Sequence, residues 1–177
     1  MKATGVVRRI DELGRIVIPK EIRKTLRIRE GENLEIFTDS NDQIVLKKFS
    51  YMDKIGDFAQ SYADSIYSLT KKNIIITNTD TILAASGPLK KNYLNKPISK
   101  SLEFFITRRE ELLEKYKKDL EIIDTDKIEA TYVISSIVTS GDVAGLVILF
   151  STDSQVDETD EKIVKVATNF LSKHLED

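Results

Sequence analysis

The stretch "VRRIDELGRIVIPKEIRKTLRI", Val7 to Ile28, decides how this chain folds. Two short β-branched runs, "TGVVRRI" at 4–10 and "GRIVI" at 14–18, flank "DELG", where Gly14 can take the positive φ of a hairpin turn. They read as two strands. Pro19 then suits the first turn of a helix, because its missing N–H would have no intrahelical partner there, and the helix is expected to end near Arg27. Working outward, Gly31 breaks the chain and "LEIF" alternates apolar and polar. "TDSNDQ" carries turn chemistry, and "IVLKKF" closes a second hairpin. The order is β-β-α-β-β.

Placing the helix side chains at about 100° per residue separates two faces. With Ile22 at zero, Leu26 falls at about 40°, and Arg23, Arg27, Lys20 and Lys24 fall at about 100°, 140°, 160° and 200°. One face is apolar and the next is wholly basic. Clustered cations repel one another by a few tenths of a kcal/mol per pair, so folding gains nothing from collecting them. The charge of the whole chain is segregated in the same way. Residues 1–29 hold nine Lys or Arg against three acids, residues 30–50 net −3, and residues 51–177 hold 16 bases against 21 acids. A basic end on an acidic body is the footprint of a polyanion-binding module. Fifty residues with strands this short bury little apolar surface alone, so a homodimer is expected, its two-fold doubling the basic face.

The rest of the composition mainly excludes. At 177 residues and 41% hydrophobic, the chain can hold one large or two small domains. It has no Cys, which removes disulfides, thiolate metal sites and cysteine nucleophiles, and a single His, His174, which has no second His to form a metal site with. "SGPLKKN" lacks the spacing of a phosphate-binding loop, and the carboxylates of "RREELLEK" read as a solvated face. No catalytic set, cofactor or metal is expected. The lack of a membrane-length apolar run or a leader-like start points to the cytoplasm.

A boundary falls near residue 50, giving domains 1–50 and 51–177. Ile55, Phe58, Ala59, Tyr62, Ile66 and Leu69 recur at helical spacing over about 52–69, and Ile163, Val166, Ala167, Phe170, Leu171 and Leu175 do so near the end. These two amphipathic helices are expected to pack together and against copies in another chain. Between them, "NIIITNTDTILAAS" reads as strand, turn and strand, and "ATYVISSIVTSGDVAGLVILFS" as a hairpin turning at Ser140, Gly141 and Asp142. A helix is expected from Ser99 to about Arg109. The charged stretch beyond it reads as irregular, the place for a lid or pocket.

The first fifty residues, with "DELGRIVIPKEIR" at their centre, closely resemble the AbrB-type swapped-hairpin DNA-binding domains of bacterial transition-state regulators. The resemblance implies that two chains exchange hairpins to form one β-barrel-like dimer. It also implies that Arg8, Arg15, Arg23 and Lys24 contact DNA, with Lys2, Arg9, Lys20 and Arg27 as additional contacts. At Lys24 the family's best-known member has Arg, so a planar fork becomes a point charge here, which suits phosphate better than base edges. The second part resembles a GAF domain, through its element order and "VTSGDVAGLVILFS". The whole is therefore expected to be α+β: an N-terminal swapped-hairpin dimer followed by a GAF-like domain with flanking helices. An AbrB-type domain joined to a GAF-like one resembles sporulation transcription factors, and implies activation and repression of late genes in the forespore cytoplasm. It further implies an obligate homodimer, possible tetramers through the flanking helices, and a small molecule of unknown class. An antitoxin-like interaction protein and a metabolite-handling enzyme are the alternatives. The long second domain argues against the first, and the missing catalytic set against the other.

Overall fold

Proximity divides the chain into two compact units, Met1–Phe49 and Ser50–Asp177. The computed structural model describes residues 4–40, 42–50 and 52–176. Both units mix helix with antiparallel strand, so the chain is α+β.

In the first unit, Asp11 organises the leading turn. Its Oδ1 accepts from Leu13 N at 3.0 Å and Arg15 N at 2.8 Å, and Gly14, at φ 75°, donates its N–H to Asp11 O. The turn is therefore formed, but the two strands expected on either side of it are not. The ladder stops at the bond from Asp11 N to Arg15 O. An isolated two-stranded ribbon is marginal in water unless one face is packed, and none of the described residues among 4–50 is buried. Helix α1 (Lys20–Thr25) follows Pro19, and the hairpin β1 (Leu34–Thr38) with β2 (Ile44–Lys48) pairs antiparallel from Leu34 opposite Lys48 to Thr38 opposite Ile44. One chain alone closes no barrel here: its two strands form a separate two-stranded sheet.

The second unit is built on a five-stranded antiparallel sheet of order β4-β3-β7-β6-β5. Its elements are α2 (Gly56–Thr70), β3 (Asn73–Thr77), β4 (Ile82–Ser86), α3 (Lys90–Tyr93), α4 (Lys100–Arg108), β5 (Leu112–Ile123), β6 (Asp126–Thr139), β7 (Asp142–Ser151) and α5 (Glu158–Glu176). The inner strands β3 and β7 read as nearly continuous apolar runs because both of their faces are covered. On one face, Ala59, Ala63 and Ile66 of α2 and Val164, Ala167 and Leu171 of α5 pack on Ile74, Ile76, Val147 and Leu149. On the other, Tyr93, Leu102 and Ile106 pack on Ile75, Ile148 and Phe150. The three-layer arrangement places the two long helices side by side, as their stripes predict.

The stretch after Arg109, expected to be irregular, is the twelve-residue edge strand β5. Its pairing with β6 shifts register between Glu114 and Lys118, and this bulge breaks the alternation by which a strand is recognised. Charges and a bulge are also what blunt an exposed edge. The opposite edge, β4, is closed by other means. Gln60 lays its amide against Ala85, donating to its carbonyl at 3.0 Å and accepting its N–H at 3.2 Å. Further along, Asn95 N and Lys96 O bond the carbonyl and N–H of Ile82 at 3.0 and 2.9 Å. At Gly145 two backbones press together, because a Cβ there would lie 1.8 Å from Thr77 O.

Candidate nucleic-acid interface

The candidate cations sit on three pieces of the first unit. Arg8 and Arg9 lie on the exposed segment before the turn, Arg15 just after it, and Lys20, Arg23 and Lys24 on α1. Lys2 lies outside the described residues. Arg15 is held by the turn itself, its Nε donating to Asp11 Oδ2 at 2.7 Å while its side chain remains largely exposed. The backbone N–H and guanidinium of Arg15 together hold the Asp11 carboxyl below the usual aspartate range. The same Asp that shapes the turn thus also holds the arginine that follows it.

Helix α1 buries no residue. Glu21 in its first turn and Arg23 and Lys24 in its last complement the helix dipole, so part of the basic face serves the helix. The helix ends earlier than expected. Leu26 caps it, Arg27 turns left-handed at φ 53°, and Ile28 N reaches Arg23 O at 2.7 Å while Arg27 N reaches Lys24 O at 3.3 Å. This is a Schellman closure with Arg where Gly is usual. Arg27 therefore leaves the helical face on which its spacing placed it, while Arg23 and Lys24 keep theirs.

Around these cations lies apolar surface without cover: Val7 is 87% exposed, Leu13 75% and Val17 72%, with Ile10, Ile16, Ile36 and Ile44 all more than half exposed. A charged surface beside so much open apolar area is a half-built object.

The second unit shows no equivalent chemistry. Among the described residues no group of three or more His, Cys, Asp or Glu is placed to hold a metal ion, and no helix is long and apolar enough to cross a membrane. His174 stacks on Phe58, with centroids 4.6 Å apart, beside Phe170 and Tyr62, and so joins α2 to α5. Across 90–129, Tyr93, Ile98, Leu102 and Leu120 are buried in the core. Tyr93 donates its hydroxyl to Asp126 at 2.8 Å, and burial followed by this bond pushes its pKa up. A cleft of about 190 Å3 lies between the start of β5, the middle of β6 and α5. Its polar groups are engaged with one another: Ser135 Oγ bonds Glu111 at 3.0 Å, and Lys165 sits 3.3 Å from Glu111 and 2.9 Å from Glu161. No sequence pattern signalled this cleft, because its lining comes from three separate elements.

A small basic module ahead of a GAF-like body has the architecture of a DNA-binding transcription regulator with an attached regulatory domain. The family profile described as "Stage V sporulation protein T C-terminal, transcription factor" matches residues 54–176, and stage V sporulation protein T of Bacillus subtilis (strain 168) is 46% identical over 177 residues, 99% of each chain. The chain belongs to the stage V sporulation protein T family of transcription factors, which are not enzymes. The first unit is also similar to the transition state regulatory protein AbrB of the same organism, 57% identical over 49 residues, which are 28% of this chain and 50% of the relative. The profile described as "Antidote-toxin recognition MazE, bacterial antitoxin" matches residues 7–51, about a quarter of the chain. Over 86% of its length the chain shares its fold with the cofactor binding GAF domain of the nutrient sensor CodY from Clostridium difficile, at TM-score 0.52 and 14% identity, covering 92% of that chain.

Proposed function

We propose that two copies of the first unit form an obligate dimer by covering one another's open apolar surface. Arg8, Arg15, Arg23 and Lys24 then contact duplex DNA, with Lys2, Arg9, Lys20 and Arg27 at its margins. The observation that carries this reading is that the described residues of 4–50 bury nothing in one chain, while their apolar and basic residues both lie open. Residues 1–50 serve as the DNA-binding domain and residues 51–177 as the regulatory and assembly domain. Val166 and Phe170 are exposed on α5, Phe170 packing beside Phe58 and Tyr62 of α2, and they supply a second apolar stripe through which two dimers join as a homotetramer. The similarity to stage V sporulation protein T supports a cytoplasmic regulator that activates and represses late forespore genes. Base selection rests in part on DNA shape, which a small set of cations can read through groove width and bending.

The test is binding of fluorescent promoter and mixed-sequence duplexes across a salt series, for the wild type, Arg15→Ala and Arg23→Ala. Each variant is expected to reduce the slope of log affinity against log salt by about one unit, the signature of one lost phosphate contact. Flat binding, the same for all three proteins and both duplexes, would remove these arginines from the interface.

A further inference from the structure

The lysines of the second unit are of two kinds, which the sequence does not separate. "EKYKKD" at 114–119 and "PLKKNYLNK" at 88–96 look alike as charge runs. In the first, Lys115 pairs with Glu158 and Lys118 with Glu114, Lys117 between them forms no ion pair among the described residues, and nearby Lys127 pairs with Asp119. Lys72 meets Asp160, and Lys165 lies between two carboxylates. In the second run, Lys90, Lys91 and Lys96 form no ion pair among the described residues. From Thr81 to Leu102 the chain has no acid at all and four lysines, within a part that otherwise leans acidic.

The backbone beneath these lysines is fixed. Tyr93 is buried and bonded to Asp126, Asn95 and Lys96 are paired to Ile82, and Leu89 N donates to Asn73 Oδ1 at 3.2 Å. Lys91 and Lys96 are exposed on this frame, with Asn92 and Asn95 exposed between them. Their surroundings decide what kind of partner they fit. Protein interfaces are anchored by apolar or aromatic side chains, and the exposed large apolar residues of this unit are Leu69, Phe104, Tyr116, Val166 and Phe170, none of them between 70 and 103. A phosphate backbone needs only cations and amide donors. We propose that the β4 edge, through Lys90, Lys91 and Lys96, is a second and sequence-independent contact for the sugar-phosphate backbone of DNA. This rests on the DNA-binding reading of the first unit and adds residues that the AbrB-type resemblance does not reach.

The experiment compares full-length wild type with Lys91→Gln/Lys96→Gln, and with Lys115→Gln/Lys118→Gln, which removes the same charge from paired lysines. All four positions are on the surface, and melting curves run alongside confirm that each protein is folded. The salt slope is expected to fall by nearly two for the first pair, alike on promoter and mixed-sequence duplexes. Between 50 and 200 mM salt, the wild type would then lose about 12-fold more affinity than this variant. The control pair is expected to keep the wild-type slope. A Lys91/Lys96 variant with the wild-type slope, or a control that loses as much, overturns the proposal while leaving the first unit's role intact. A wild type without salt-dependent binding would sink both readings together.

Discussion

The two units are written in the same local vocabulary and come out differently. Each holds an aspartate that accepts two backbone N–H groups, Asp11 in the leading turn of the first unit and Asp157 just ahead of the last helix, α5, in the second. Each contains a short turn between strands and a helix closed by a left-handed residue, Arg27 after α1 and Lys71 after α2. The second unit stacks helices on both faces of a sheet and buries a core on each; the described residues of 4–50 bury nothing. The difference lies in layers rather than in local signals: a hairpin and a six-residue helix cannot cover one another, and on the proposed reading the stability of the first unit comes from its dimer.

The largest effect should come from charging the surface that only a second chain would cover. In a monomer, Val17→Asp changes an exposed side chain and should matter by no more than about 0.5 kcal/mol. In the proposed dimer it buries an unpaired carboxylate, and association should weaken by more than about 100-fold, or roughly 3 kcal/mol. Sedimentation at fixed concentration and DNA binding should both report the loss, with the melting of the second unit unmoved. An unchanged dimer would show that the first unit is completed in some other way.

Next in size is a lesion confined to the second unit. A methyl group at Gly145 would push against the backbone of Thr77 and Asn78, so β7 and β3 must separate locally. Gly145→Ala should cost about 3 kcal/mol and lower the melting temperature of that unit by about 10 °C. The proposed dimer of the first unit, read by sizing at low temperature, should persist. Losing both together would mean that the two units unfold as one.

A smaller effect tests how the sheet edge is closed. Gln60→Leu keeps the bulk of the side chain but leaves the N–H and carbonyl of Ala85 without their amide partner, costing about 1–2 kcal/mol. Thermal melts should show the loss, and light scattering should show more aggregation than for the wild type, because the edge of β4 would then be open to another strand. A variant as stable and as soluble as the wild type would show that Gln60 is not what closes that edge.

What was legible in the sequence follows the same division. Helices α2 and α5, the β3–β4 turn and the β6–β7 hairpin could be read because each buries one consistent face within the chain. The turn at Asn78 is held as its residue type predicts, with Oδ1 accepting from Asp80 N at 2.8 Å and Thr81 N at 2.7 Å. The strands around Gly14 carry the same β-branched signal, but a periodicity states only that a face is apolar, and theirs finds no cover in one chain. Strand β5 was missed because a bulge interrupts its alternation. In the candidate interface, Arg23 and Lys24 were legible from helical spacing. Arg27 was misplaced, because nothing in its spacing announces a left-handed turn. The contrast between Lys115, which is paired, and Lys96, which is not, is invisible in sequence because the partner of Lys115 lies on α5.

The smallest prediction concerns what the units share. The carboxyls of Asp11 and Asp157 both titrate below the usual aspartate range, chiefly because backbone N–H groups bond the charged form. A depressed folded-state pKa contributes stability that is present above the ordinary aspartate value and lost as pH falls through the lower, folded one. Carboxyl chemical shifts followed against pH should give both groups midpoints below that of a free aspartate. Arg15→Ala should raise the Asp11 midpoint, since its guanidinium is the second cause of the shift, and should leave Asp157 alone. The units should part in what the titration disturbs. Protonating Asp157 releases the first turn of α5, whose buried residues carry the loss into the core, so melting of the second unit should fall with it. Protonating Asp11 loosens a turn that covers nothing in its own chain, so it should register in the aim of Arg15 and hence in DNA affinity, with the second unit's melting unmoved. Were Asp11 protonation to lower that melting temperature as well, the independence of the two units would fail at its most local point.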